Sequence, residues 1–317
     1  MIVRCAKLSH KNKVSEGLER FSNIKIVGYL GDEKYEEDYD TFIWTKEILE
    51  PSEVKVWEET ILKEMERGKN IYNMARLYRI TDNHRLVSTA EEYGVEYFDS
   101  SDPYAFQRYI DYAKLGLEGI EGKIITVMGT GRKSGKFTTS LILKRELSRY
   151  FKVGCVGTEP HSKLCNMEEM VIPQVIPLCH VASTIFGAVK KVDLEGKDII
   201  VVSSQTGVFS DPLEVGTGRG GGVVSLSILY GSKPDYIILA SNTLNVKEIE
   251  RHIKVLELVS NGKVIGITVN GRRFKNLGEG YREVLDRISK KLNIPVVDVV
   301  KGIHLEEFIE DIHGIIW

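Results

Sequence analysis

The stretch that decides the fold reads Lys123-Ile124-Ile125-Thr126-Val127-Met128, then Gly129-Thr130-Gly131-Arg132-Lys133-Ser134-Gly135-Lys136, then Phe137-Thr138-Thr139-Ser140-Leu141-Ile142-Leu143-Lys144-Arg145-Glu146-Leu147. The first part is an apolar, β-branched run that suits a buried strand. In the last part Phe137, Leu141, Leu143, Leu147 and Phe151 recur at helical spacing, which predicts an amphipathic helix. Strand, glycine-rich turn and helix in that order make a phosphate-binding loop, the P-loop. Glycines let the backbone turn tightly and aim successive N–H groups at one anion. The start of the helix adds a partial positive charge, and Lys136 is placed to reach the β- and γ-phosphates of a nucleotide. The candidate phosphate contacts are Gly129, Thr130, Gly131, Arg132, Lys133, Ser134, Gly135 and Lys136, with Phe137, Thr138 and Thr139 at the helix start.

The loop departs from the standard pattern in two places. Five residues separate Gly129 from Gly135 where the standard spacing has four, so Thr130 stands at the usual glycine position. Phe137 follows the lysine where a magnesium-holding hydroxyl is expected, with Thr138 and Thr139 behind it. Thr138 is the expected metal-side hydroxyl, on the argument that the extra loop residue shifts the helix entry.

The chain has 317 residues, enough for about two domains. A net charge of −2 gives no case for a nucleic-acid partner. No apolar run approaches the ~18 residues of a membrane span. Met1-Ile2-Val3-Arg4-Cys5-Ala6-Lys7 lacks the apolar centre of a secretory signal. Cys5, Cys155, Cys165 and Cys179 form no Cys-x-x-Cys pair, which argues against a structural zinc site and for reduced thiols in the cytoplasm. Gln107, Gln174 and Gln205 are the only glutamines against abundant Lys, Glu and Ile, a composition that suggests a thermophile.

Residues 1–118 read as a small Rossmann-like α/β domain. Apolar runs stand at 24–30, 41–44 and 95–98, and helical patterns at 53–67 and 105–112. No Gly-x-Gly-x-x-Gly occurs there, so dinucleotide binding is not expected. In residues 119–317, strands are expected at 124–128, 153–156, 199–203, 236–240, 264–269 and 295–300, with helices at 246–258 and 281–292. This alternation predicts an α/β fold with a doubly wound, mostly parallel sheet. Ligands then bind beyond the carboxyl ends of the strands.

Those ends supply further candidates. After the second strand, Glu159 is a candidate partner for Mg²⁺ or a substrate ammonium group, and His161 reads either as a base or as an ordinary loop histidine. The third strand runs into Ser203-Ser204-Gln205-Thr206-Gly207, with no acid where P-loop enzymes usually carry one. Gln205 is a candidate for orienting a nucleophile, and Asp211 for a metal if the loop folds back. Gly216-Thr217-Gly218-Arg219-Gly220-Gly221-Gly222 reads as a second anion loop with Arg219 as its cation, or as a mobile lid; a helix follows it. Asn242 and Thr243 read as helix caps. Asn270 reads either as a contact to a purine edge or as a turn-forming Asn-Gly.

These motifs resemble the domain-of-unknown-function family 1611, which pairs a Rossmann-like N-terminal domain with a P-loop C-terminal domain. The family's loop typically reads Gly-Thr-x-x-x-x-Gly-Lys-x-Thr-Thr, and Gly129-Thr130, Gly135-Lys136 and Thr138-Thr139 match it, both departures included. Leu229-Tyr230-Gly231-Ser232-Lys233-Pro234-Asp235 is similar to its Leu-His-Gly-x-x-Pro-Asp, and Gly94 to Asp99 to its Gly-Val-x-x-x-Asp. Where the family often has Glu-Gly-Gln-Gly, this chain has Ser203-Ser204-Gln205-Thr206, so the role of that acid does not carry over. Some members resemble acetyl-CoA-dependent N-acyltransferases acting on D-glutamate. The loop alone is also similar to that of cyclic 2,3-diphosphoglycerate synthetases.

The expectation is a cytoplasmic transferase of the kinase or ligase kind that binds ATP and Mg²⁺ and activates a small carboxylate or phosphorylated substrate. Lys136, Arg219 and Gln205 carry the chemistry, and Thr138 and Glu159 are the metal candidates. The alternatives are an N-acyltransferase that uses acetyl-CoA and a nucleotide-gated binding module without chemistry of its own. The partners expected are a small-molecule substrate and a second copy of the chain, with no nucleic acid and no membrane.

Overall fold

The structure is a computed structural model and describes every residue except 33–37, 77–83, 103, 210–219, 275–277 and 279. It divides into two compact units, Met1–Ala105 with Glu159–Asn166, and Phe106–Thr158 with Met167–Trp317.

The first unit is built on β1 (Cys5–Leu8), β2 (Lys25–Tyr29), β3 (Thr41–Trp44), β4 (Asn70–Asn73) and β5 (Tyr97–Asp99), with α1 (Lys13–Phe21), α2 (Pro51–Glu66) and α3 (His84–Glu92). The strands form one parallel sheet in the order β2-β1-β3-β4-β5. Helix α1 starts where the Asn12 side chain accepts from the N–H groups of Val14 and Ser15, which satisfies donors that a helix start leaves open. Phe42, Trp57, Ile61, Met65 and Ile71 are fully buried and bring α2 down on β3 and β4. Trp57 Nε1 donates to Asn73 Oδ1 at 3.1 Å, so the indole meets its one polar need inside the core. Strands β1 and β4 escape the sequence reading because each is four residues long with polar members, too short for a period to show.

The second unit holds β6 (Lys123–Gly129), β7 (Val153–Gly157), β8 (Glu169–Met170), β9 (Ile199–Ser203), β10 (Tyr236–Ser241), β11 (Lys263–Val269) and β12 (Val296–Asp298). Between them run α4 (Ile110–Gly116), α5 (Lys136–Leu147), α6 (Leu178–Asp193), α7 (Gly221–Ser232), α8 (Val246–Val259), α9 (Tyr281–Leu292) and α10 (Leu305–Ile316). The sheet order is β12-β11-β10-β6-β9-β7-β8, and every pairing is parallel. The chain adds strands on one side of β6 and then on the other, which is the doubly wound order. Central β6 is buried from Ile124 to Gly129, as a strand covered on both faces must be.

Besides β8 and α10, which the sequence does not predict, three details differ from the sequence reading. Helix α5 is buried round most of its circumference instead of along one stripe, because α10 packs against it. Strand β12 stops at Asp298, whose Oδ1 accepts from the N–H groups of Val300 and Lys301 and turns the chain. Helix α6, which the sequence reading missed, packs on α4 so closely that a Cβ on Gly187 would stand 2.2 Å from the Tyr109 carbonyl oxygen.

Candidate P-loop site

Strand β6 ends at Gly129 and α5 begins at Lys136, so Thr130–Gly135 form the loop at the carboxyl end of the central strand. Gly135 has φ 101°, a left-handed conformation that glycine adopts without strain. Gly135 has no side chain with which to cap α5, so the loop backbone leads straight into the helix start. Lys136 is buried and its Nζ donates to the Gly131 carbonyl at 2.9 Å and to Ser134 Oγ at 3.2 Å. The lysine therefore lies folded over its own loop.

Residues far along the chain fix the loop in place. The Thr130 N–H donates to the Ala240 carbonyl at 3.0 Å. Thr130 Oγ1 donates to Asn242 Oδ1 at 2.9 Å and accepts from the Asn242 N–H at 3.0 Å. Asn242 Nδ2 donates to the Arg132 carbonyl at 3.1 Å, and Asn270 Nδ2 donates to that of Lys133 at 3.3 Å. Asn242 is thus a loop tie. The cap of α8 is Asn245, which accepts from the N–H groups of Lys247 and Glu248. Asn270 Oδ1 accepts from the Arg272 N–H at 3.2 Å, the turn-forming arrangement.

The threonines after the lysine part company. Thr139 is fully buried, and its hydroxyl meets that of Thr268 on β11 at 2.9 Å. Thr138 is half-buried and stands one residue closer to the loop. Phe137 is half-buried beside it.

At the end of β9, Ser203 pairs in register with Val127 of β6, which brings the 203–207 segment beside the loop. Thr158, Ser203 and Ser204 are buried, and among the described residues their hydroxyls find no hydrogen-bond partner. The carboxamide of Gln205 is engaged: Gln174 Nε2 donates to its Oε1, and its own Nε2 donates to the Thr158 carbonyl. Gly207 bridges to Thr130, and a Cβ there would lie 2.9 Å from the Gly131 nitrogen, so only glycine allows this approach. Thr206 donates to the Gly221 carbonyl at 2.9 Å and ties the segment to the start of α7. Helix α7 begins after Gly220, as the sequence predicts, but Arg219, Asp211 and the rest of the glycine stretch before Gly220 lie outside the described residues.

Glu159 and His161 group with the first unit. The Glu159 N–H donates to Ser162 Oγ at 3.2 Å. Burial pushes the His161 imidazole down to about 4, which leaves it neutral at pH 7.

An open chamber of about 580 Å³ lies beside the loop, lined by its Thr130–Lys133 segment and by Glu248, Arg251 and His252 of α8. The sequence reading missed it. The available signal was the spacing of Glu248, Arg251 and His252, which places three polar side chains on one face of α8.

A glycine loop at the end of a central parallel strand, with a lysine opening the following helix, defines an α/β protein of P-loop NTPase-like fold. The chain belongs to the DUF1611 family: residues 112–306 match its model described as a P-loop domain of unknown function, and residues 9–103 match the accompanying Rossmann-like domain. A crystal structure of a DUF1611 family protein from Anabaena variabilis ATCC 29413 has the same fold, with a TM-score of 0.71 and 16% identity over 99% of this chain and 100% of that one. A nucleotide-binding protein from Archaeoglobus fulgidus in complex with ADP gives a TM-score of 0.43 at 19% identity, over 63% of this chain and 93% of its own. Hydrogenase maturation factor HypB from the same organism gives 0.41 at 14% identity, over 67% and 98%. No curated protein matches the chain. Among the described residues, no helix is long and apolar enough to cross a membrane.

Proposed function

We propose that the chain binds ATP–Mg²⁺ on the Gly129–Thr139 loop and uses it to phosphorylate or activate a small carboxylate or phosphorylated metabolite. The observation that carries this reading is the Lys136 ammonium, folded onto the Gly131 carbonyl and Ser134 Oγ at the start of α5. Ammonium and helix start are both positive, and an incoming phosphate complements both. The donor set fits the group. Loop N–H groups and Lys136 would hold the β- and γ-phosphates, with Gly129 leaving room for the lysine to swing. Asn270, at the end of β11, would offer its carboxamide to a purine edge by releasing the Lys133 carbonyl and the Arg272 N–H.

Among the described residues, no cluster of three His, Cys, Asp or Glu side chains gathers to hold a metal. Mg²⁺ commonly keeps its waters and takes few protein ligands beside the phosphates, so Thr138 is the residue that would hold it. Once bound, the ion supplies charge neutralisation, and the protein's share is positioning. Gln205 would orient the attacking group after release from Gln174, and Arg219 would bind the substrate anion.

A second reading, an acetyl-CoA-dependent N-acyltransferase, is favoured by Ser203 at the end of β9, where nucleotide hydrolases carry an acid. The same loop would then hold the pyrophosphate of CoA. Calorimetric titration with ATP and with acetyl-CoA, each with and without Mg²⁺, tests both. ATP binding that needs Mg²⁺ and falls about a hundredfold in Lys136→Ala supports the first. Mg²⁺-independent binding of acetyl-CoA alone supports the second, and binding of neither overturns both.

A further inference from the structure

We propose that the chamber against α8 is a second ligand site, taking a small anion (a carboxylate or a phosphate ester) that also carries a hydroxyl or amine hydrogen. This deepens the reading above by naming what sits next to the nucleotide, and it rests on the loop holding one. Among the described lining residues, Arg132, Lys133, Arg251 and Arg273 stand against a single acid, Glu248. That balance selects an anion, and the arginines offer paired donors to a carboxylate or phosphate. The guanidinium of Arg251 lies 4.1 Å from the centre of the Phe209 ring, a cation–π contact that sets its direction.

The second observation is His252. It is only 2% exposed and lines the chamber. Its Nδ1 lies 2.8 Å from the Glu248 carbonyl, which only accepts, so Nδ1 carries the proton. In the neutral ring Nε2 is then a lone pair, and among the described residues it has no partner. A buried acceptor left unmatched is unfavourable; Nε2 has almost no exposed area of its own, so an O–H or N–H on the ligand would satisfy it as the ring turns towards the chamber. The Phe209 ring meets the imidazole edge-on at 4.7 Å, so one apolar ring touches both Arg251 and His252. Positive rim and hydrogen-bond acceptor together describe a hydroxy or amino acid or a hydroxylated phosphate ester. At about 580 Å³ the chamber has ample room for a molecule of that size.

The test is calorimetry on the full chain saturated with ADP–Mg²⁺, with L-malate, succinate and glycerol 3-phosphate as probes. L-malate or glycerol 3-phosphate is expected to bind, and Arg251→Ala with Arg273→Ala to weaken that binding about tenfold or more while ADP affinity stays unchanged. Both arginines are exposed, so the double variant keeps its fold, which thermal unfolding verifies. If L-malate binds, succinate, which lacks the hydroxyl, is expected to bind more weakly, and His252→Asn, which keeps an amide near Nδ1 and deletes Nε2, to erase that difference. No binding of either probe at about 10 mM, or equal affinity in the double variant, overturns the proposal. If ADP itself fails to bind, the loop reading falls separately, and the same anion titrations on Lys136→Ala still decide the chamber.

Discussion

A Cβ on Gly129 would stand 2.7 Å from the Nζ of Lys136 and 2.8 Å from Ser134 Oγ. The last residue of the central strand must therefore lack a side chain for the loop lysine to take its place. The conflict is with a flexible amine and not with backbone, so Gly129→Ala is expected to leave the fold intact and move the ammonium. ATP–Mg²⁺ affinity should fall about tenfold with an unchanged melting temperature. Calorimetry alongside thermal unfolding reads both; a large loss of stability would mean that the glycine serves packing instead.

Thr138 and Thr139 should separate by readout. Thr139→Val leaves the buried Thr268 hydroxyl without its partner and should destabilise the protein by about 1–3 kcal/mol in a denaturant titration. Thr138→Val should keep that stability and lose the Mg²⁺ dependence of nucleotide binding. The reverse pattern would move the metal-side hydroxyl to position 139.

Two groups in the first unit titrate in opposite senses. Burial, the largest cause, raises the Asp99 carboxyl to about 6, and burial lowers the His161 imidazole to about 4. Between pH 4 and 6 the folded chain holds more protons on Asp99 than the unfolded chain does, so this group's contribution falls as pH rises. His161 holds fewer when folded, so its contribution falls as pH drops from its ordinary 6.5 towards 4. The two offset each other. Asp99→Asn is expected to reveal a melting temperature that drops on acidification, and His161→Gln one that rises. Parallel pH profiles in both variants would show that these groups do not set the acid response.

Gly187 on α6 faces the backbone of Tyr109, which cannot step aside. Gly187→Ala should push α4 away from α6 and destabilise the protein by about 1–3 kcal/mol, measured by chemical denaturation. Tyr109 would lose its hold as well, since its hydroxyl donates to Glu169 Oε2 at 2.8 Å. An unchanged denaturation midpoint would show that the helices part without loss.

Much of the fold is legible along the chain because its signals are local. The β-branched run from Ile124 to Val127, the glycines and the spaced apolar residues of α5 each act within a few neighbours, and strand, loop and helix follow from them. The run from Val246 gives α8 nearly to its last residue for the same reason. Cys5-Ala6-Lys7-Leu8 gives no such signal, since a four-residue strand draws its stability from pairing with β2 and β3 on either side. Helix α6 is hidden by the mixed segment Pro177-Leu178-Cys179-His180 that opens it.

The sequence by itself determined that Lys136 opens a helix after a glycine loop at the end of a buried strand, because backbone conformation and short-range periodicity decide that. Only the tertiary structure decided what surrounds the loop. Asn242 stands 112 residues from Thr130, Thr268 stands 129 from Thr139, and Asn270 stands 137 from Lys133. These pairs meet because β10 lies beside β6 and β11 beside β10, an order of parallel strands that no local pattern encodes. The same order sets His252 of α8 beside Arg132 and Lys133, so the chamber exists only once the sheet has closed around its central strand.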